Sequence, residues 1–399
     1  MSGLDLTQSA ARVTAALVDI ESESGNEKAL ADVIEEALRA YPHLEVLRDG
    51  DSVLARTNLG RAERVILAGH LDTVPIAVDS TGRRNVPSLL EGDWETGRLH
   101  GCGTSDMKAG VAVQLVLAAE LAEPNRDVTY VFYECEEVEA ERNSLGRLIR
   151  TRPEWFAADF AVLLEPSNNI VEGGCQGTMR ARLTFRGARA HSARSWLGDN
   201  AIHKAGAALR RLAEYQPRRV EVEGLEFREG LNAVGISGGV AGNVIPDECS
   251  LVVNFRFAPD RSQDDAERHV REVFADLDAE INVTDSAPAA RPGLHLPLAA
   301  EFVGAVMSGV EGEPTAKFGW TDVARFAELG IPGVNYGPGD GSLAHKPDES
   351  VDVGQVVRSA ERMRSWLGSA SCPDAPRRTT AVRTAWRTGA HRRQPVGTE

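Results

Sequence analysis

Val65-Ile66-Leu67-Ala68-Gly69-His70-Leu71-Asp72-Thr73-Val74-Pro75 begins as a run of apolar and small residues and then turns polar at a histidine and an aspartate. Its first five residues read as a buried strand. Side chains alternate along a strand, so His70 and Asp72 leave its end pointing the same way. One of them can bind a metal while the other orients its neighbour or the metal's water. The pair gains weight because more acidic and histidine positions follow, each beside an apolar strand or a helix start.

Upstream, residues 6–41 read as two amphipathic helices, with Leu30, Val33, Ile34, Ala37 and Leu38 on one face. Residues 53–57 form a strand candidate. Downstream, a long connection rich in Gly, Pro and polar residues runs to Gly103. Residues 107–121 are strongly helical, with Asp106 at their start, and 128–134 and 160–165 are further buried-strand candidates. Helices alternating with such strands predict an α/β fold: a central mixed sheet with helices on both faces.

The pattern changes near Gly177. Residues 180–186 alternate as a strand, 200–212 are helical, and strands follow at 231–237 and 250–257. A helix at 263–274 and a strand at 279–284 complete a βαββαβ order, the ferredoxin-like arrangement. Helices at 298–310 and 324–329, a strand at 334–337 and a helix at 353–367 then return to the first domain. The expected division is a discontinuous first domain at residues 1–176 and 291–368, an inserted unit at 177–290 and a disordered basic tail at 369–399. In that tail Arg377, Arg378, Arg383, Arg387, Arg392 and Arg393 stand without apolar periodicity.

A length of 399 residues suits two domains with a sizeable core. The formal net charge of -15 argues against a nucleic-acid partner for the body of the protein. A nucleic-acid role for the Arg-rich tail alone would show as salt-sensitive binding. No apolar stretch reaches membrane-spanning length, and Met1-Ser2-Gly3-Leu4-Asp5 lacks the basic start of a signal peptide. Five scattered cysteines make no disulfide framework and suit a reducing cytoplasm.

The chemistry-bearing candidates are His70, Asp72, Asp106, Glu136, Glu137, Glu165 and His345, at strand ends or helix starts where open α/β sheets bind ligands. Asp106 stands in Gly101-Cys102-Gly103-Thr104-Ser105-Asp106-Met107-Lys108; alone it would read as a helix cap. Adjacent Glu136 and Glu137 follow an apolar strand, where two negative charges repel unless a cation compensates. One of the two can ligate metal while the other remains a free base. Glu165-Pro166 closes another buried strand, and His345 lies in Leu343-Ala344-His345-Lys346-Pro347-Asp348-Glu349. Two histidines with three or four carboxylates suit a pair of zinc ions about 3.5–4 Å apart. Such a pair activates water, a free glutamate handles its proton, and amide hydrolysis is the expected reaction.

These motifs resemble, in order and over nearly the whole chain to about Leu367, those of the dizinc metallopeptidase family. That family includes aminoacylase, acetylornithine deacetylase, carboxypeptidase G and succinyl-diaminopimelate desuccinylase. The resemblance implies that His70 and Glu165 hold one zinc, Glu137 and His345 the other, and Asp106 bridges them. Cobalt is expected to be able to substitute. Glu136 would be the general base and Asp72 the partner that orients His70. Cys102 departs from the arginine of many relatives and reads as a spectator.

The inserted unit matches the family's lid and dimerisation domain, which implies a homodimer. His191, in Arg189-Ala190-His191-Ser192-Ala193-Arg194, would then polarise the substrate carbonyl in the partner's site. Asn243, Arg256 and Arg180 match lid positions that hold substrate, and an arginine fork suits a carboxylate. Residues 174–200, with Phe318-Gly319-Trp320-Thr321-Asp322 and Asn335-Tyr336-Gly337-Pro338-Gly339, most resemble the actinobacterial desuccinylase branch. That implies hydrolysis of N-succinyl-LL-2,6-diaminopimelate, in lysine and diaminopimelate biosynthesis. The alternatives are another deacylase or dipeptidase of the family, or a scaffold of the same fold without activity. Keeping both Glu136 and Glu137 argues against the last.

Overall fold

The computed structural model describes residues 3–78 and 81–368. The basic tail expected at 369–399 lies outside the described residues.

The strand Arg64–His70 is central in an eight-stranded mixed sheet. It pairs in parallel with Asp127–Tyr133 on one side and Phe160–Leu163 on the other. Beyond Phe160–Leu163 come Gly333–Asn335, Glu172–Gly173 and Thr315–Ala316. Beyond Asp127–Tyr133 come Ser52–Arg56 and Glu45–Asp49, both antiparallel.

Alternation along the strands feeds two cores. Val65 and Leu67 pack on one face, against helices Ala10–Val18, Lys28–Arg39, Ala109–Glu120, Pro297–Val306 and Val353–Gly368. Ile66 and Ala68 pack on the other, against Ser144–Thr151 and Val323–Glu328. Burial on both sides explains why this strand is apolar throughout. Helix Ala109–Glu120 presses hard on the sheet at Gly110, where a Cβ would stand 2.1 Å from the Leu164 carbonyl oxygen.

The inserted unit is a four-stranded antiparallel sheet in the order Gly230–Gly238, Glu248–Phe257, Gly177–Arg186, Glu280–Ala287. Helices Ala201–Glu214 and Gln263–Val273 cover one face through Met179, Ala181, Leu183 and Phe185. The ferredoxin-like order is present, with one addition. A hairpin, Arg219–Val222 with Leu225–Arg228, interrupts it and packs Phe227 beside Ala316 of the large sheet. The chain leaves and re-enters the first domain through one paired crossing, where Cys175 and Ala290 exchange two backbone hydrogen bonds of 3.0 Å.

The expected helix at 107–121 begins later, at Ala109. Residues Thr104–Lys108 form a tight turn, and Asp106 has extended dihedrals (φ -117, ψ 95). Asp106 is therefore no helix cap. The connection before Gly103 is also not featureless, since Leu89–Glu91 and Arg98–His100 join Ser350–Asp352 in a small antiparallel sheet.

Candidate metal centre

The site is built where strands end. Arg64–His70 stops at His70, Asp127–Tyr133 runs into Glu136 and Glu137, and Phe160–Leu163 runs into Glu165. Gly333–Asn335 leads into the loop of His345. These are the carboxyl ends of parallel neighbours, the usual place for ligands in open α/β sheets. The turn ahead of helix Ala109–Glu120 brings Asp106 in from the side.

Asp106 stands between the two histidines. Its Oδ1 is 3.1 Å from His70 Nε2, and its Oδ2 is 3.5 Å from His345 Nε2. His345 Nε2 is also 2.8 Å from Glu137 Oε1. Ligand atoms of His70, Asp106 and Glu165 lie within 4.8 Å of one another, as do those of Asp106, Glu137 and His345. Those of His70, Glu136 and Glu137 meet the same limit.

Asp72 touches both His70 and the loop of the two glutamates. The ring Nδ1 of His70 meets the Asp72 backbone carbonyl at 3.0 Å, while the carboxylate stands 3.6 Å away. That carboxylate instead accepts the backbone N–H groups of Glu136 at 2.9 Å and Glu137 at 3.0 Å. It also accepts the Ser24 hydroxyl at 2.7 Å. Ser24 was not singled out from sequence; a serine in a polar run between two helices carries no local signal.

The remaining expected residues lie apart from this cluster, on the inserted unit. Arg180 and Arg256 sit on its helix-free face, where Asn254 pairs with Arg180 and Thr178 with Arg256. His191 and Asn243 are exposed on adjoining loops, joined by the Ser192 N–H donating to the Asn243 carbonyl at 2.9 Å. Cys102 is buried, its thiol 3.7 Å from the Val74 carbonyl and raised to about 11 chiefly by burial. It belongs to none of the ligand groups among the described residues.

The electrostatics of the cluster call for cations. Burial raises the Glu165 carboxyl to about 7, with Asp106 adding to the rise. Burial pushes Glu136 well above the usual carboxylate range, helped by Glu165, Asp322 and Glu137. Hydrogen bonds that His345 donates to Asp106 and Glu137 lift it to about 10. His70 is buried, which favours its neutral form, yet Asp106, Asp72 and Glu136 together raise it well above the ordinary histidine value. Four carboxylates thus crowd two histidines, and divalent cations would satisfy both. Oxygen and imidazole donors with no thiolate fit zinc-like ions.

A donor set of this kind, with one aspartate facing two clusters, suits a metal-dependent hydrolase. The sequence pattern of Peptidase family M20/M25/M40 matches residues 66–368, and the chain belongs to that family. Over 366 residues it is 54% identical to a Mycobacterium tuberculosis protein provisionally named succinyl-diaminopimelate desuccinylase DapE, spanning 92% of this chain and 99% of that one. It is 48% identical to the succinyl-diaminopimelate desuccinylase of Corynebacterium glutamicum, spanning 92% of this chain and 98% of that one. A tripeptidase structure from Staphylococcus aureus superposes with a TM-score of 0.74 at 20% identity, covering 91% of this chain and 98% of that one; this likeness shows the fold.

Proposed function

We propose that this metal-dependent amidohydrolase cleaves N-succinyl-LL-2,6-diaminopimelate to succinate and LL-2,6-diaminopimelate, in lysine and diaminopimelate biosynthesis in the cytoplasm. The observation that carries the reading is the placement of Asp106, one oxygen toward His70 and the other toward His345. It supports a shared ligand between two ions, which we assign as zinc. When bound, such a pair polarises a carbonyl and acidifies water. His70 and Glu165 would hold one ion, and Glu137 and His345 the other.

Glu136 is the proposed base. Its half-buried carboxyl, crowded by Glu165, Asp322 and Glu137, has a raised proton affinity, which suits a group that takes up a proton. It would take a proton at its free carboxylate and return it to the leaving amine. Arg180, Arg256 and Asn243 are assigned to the substrate's carboxylates. The donor to the scissile carbonyl oxygen would be His191 from a second copy of the chain.

A homodimer is supported by the exposed edge strand Gly230–Gly238 of the inserted sheet. Val234 and Ile236 on it are 59% and 54% exposed, and Trp196 near His191 is 76% exposed. Apolar side chains so placed suit an interface. The test is a substrate panel on one zinc-loaded preparation. Turnover of succinyl-diaminopimelate well above acetylornithine and dipeptides is expected; the reverse order would overturn the substrate assignment.

A further inference from the structure

We propose that Glu349 is a positioning residue of the metal centre: it holds no cation itself and locks the turn bearing Asp106 to the segment bearing His345. The inference rests on the binuclear reading of the site and adds a residue to it.

Glu349 is 2% exposed, and both of its carboxylate oxygens accept backbone N–H groups. Its Oε2 accepts the Gly103 N–H at 2.9 Å, and its Oε1 accepts those of Ser105 at 2.8 Å and Asp106 at 3.0 Å. Three N–H groups converge because the chain reverses at Gly103, which has φ +80. A side chain there would be strained, and its Cβ would meet Thr73 Cγ2 at 2.7 Å. Successive N–H groups in such a turn form a concavity for an anion. Here the anion is part of the same chain, more than 240 residues away.

The connection is made twice more. The Gly101 N–H donates to the Glu349 carbonyl at 3.1 Å, and the Ser105 hydroxyl to the Ser350 carbonyl at 3.0 Å. On the other side, His345 lies four residues before Glu349 with φ +64, and the Glu349 N–H donates to the Lys346 carbonyl at 3.1 Å. The 3.5 Å spacing between His345 and Asp106 is therefore set through Glu349. His345 is half exposed and sits on a loop, so its spacing to Asp106 depends on how that loop is anchored. When Glu349 is ionised, these hydrogen bonds are of the stronger, charge-assisted kind. Substituting residues that orient ligands typically costs 10- to 100-fold in metal affinity.

The experiment is a cobalt titration of metal-free wild type and E349Q, followed by visible absorption and by equilibrium dialysis. Glutamine keeps the shape but points an amide N–H2 at one of the three donors. E349Q should bind the second cobalt about 10- to 100-fold more weakly, with an altered visible band. Its circular dichroism should stay normal, and its kcat should fall more than its KM rises. Two ions bound with wild-type affinity and an unchanged band would overturn the inference. If wild type itself binds no second ion, the binuclear reading falls, and this inference with it, before any variant is compared. Should E349Q not fold, amide hydrogen exchange of residues 101–108 in metal-free wild type decides. Protection supports the locked turn, and free exchange overturns it.

Discussion

The Asp72 carboxylate accepts the backbone N–H of Glu136 at 2.9 Å. The residue two places after one histidine therefore aims the loop that carries the proposed base. Asparagine at this position would turn an amide N–H2 toward the N–H of Glu136 or Glu137. Each buried N–H left unpaired costs about 1–3 kcal/mol. Asp72→Asn is expected to keep the fold, lose about 10- to 100-fold in kcat and retain zinc less tightly. Parallel kinetics and metal analysis check this; unchanged values for both would remove Asp72 from the machinery.

Glu136 and Glu137 are neighbours with different surroundings. Glu137 Oε1 is 2.8 Å from His345 Nε2, whereas the Glu136 carboxylate has no hydrogen-bond partner among the described residues. Glu136→Gln should cut turnover by about 10²–10⁴-fold with zinc content unchanged. Glu137→Gln should lose metal first. If Glu136→Gln turns over normally, the base lies elsewhere.

Much of this site was legible because polar residues interrupt apolar strands at their ends, as at His70 and Glu165. The inserted unit was legible in the same way, from alternation at 180–186 and helical periodicity at 200–212. The hairpin at Arg219–Arg228 was not. Its turn uses Glu223 at φ +53 and Gly224 at φ +84, where Asn-Gly is the familiar signal. The helix start was misplaced because residues 104–108 have good helix formers beside them, and the turn is dictated by distant Glu349. Contacts such as Asp72 with Glu137, or Glu349 with Ser105, join residues far apart and leave no local pattern.

Metal removal should make stability depend on pH in a defined direction. Without metal, Asp106 and Glu137 keep His345 protonated up to about 10, against 6.5 for the unperturbed group. The folded state then holds an extra proton across that range. Its stabilisation is complete below about pH 6.5 and lost as pH rises through about 10. Glu165, raised from 4.5 to about 7, acts in the same direction at lower pH. The metal-free thermal midpoint should therefore drop as the solution is made more alkaline. Metal uptake must displace these protons, so it should release protons and tighten as pH rises. Calorimetry with and without chelator, and an indicator dye, measure both. A metal-free midpoint that climbs through this window contradicts the charge arrangement.

Arg180 and Arg256 are diagonal neighbours on the helix-free face of the inserted sheet. Burial, then the nearness of Arg180, lowers the Arg256 guanidinium, and neither makes an ion pair among the described residues. Two unneutralised cations side by side suit an anionic group of the substrate. Losing one charge-assisted contact is worth about 1.5–3 kcal/mol. Arg256→Ala should thus lower kcat/KM for succinyl-diaminopimelate by about 10- to 100-fold, mostly through KM. Arg256→Lys should recover only part, since an ammonium lacks the planar fork. Equal KM values in wild type and Arg256→Ala would exclude this contact.

His191 presents a specific tautomer. Its Nδ1 accepts the Ala193 N–H at 3.0 Å, so a neutral ring carries its proton on Nε2. That N–H is exposed and free to donate to a carbonyl oxygen, the role assigned to it across the dimer. Removing one such donor typically costs about 10²–10³-fold in kcat, and His191→Ala should fall in that range. Subunit mixing then separates action within one chain from action between two. In a heterodimer of Glu136→Ala and His191→Ala subunits, one site has lost both groups and the other keeps both. Random mixing of equal amounts should restore about one quarter of wild-type activity, as two-fold symmetry requires. Inactive mixtures, with heterodimers confirmed by mass spectrometry, would place His191 in its own subunit's site, and a fully active His191→Ala would remove it from the reaction.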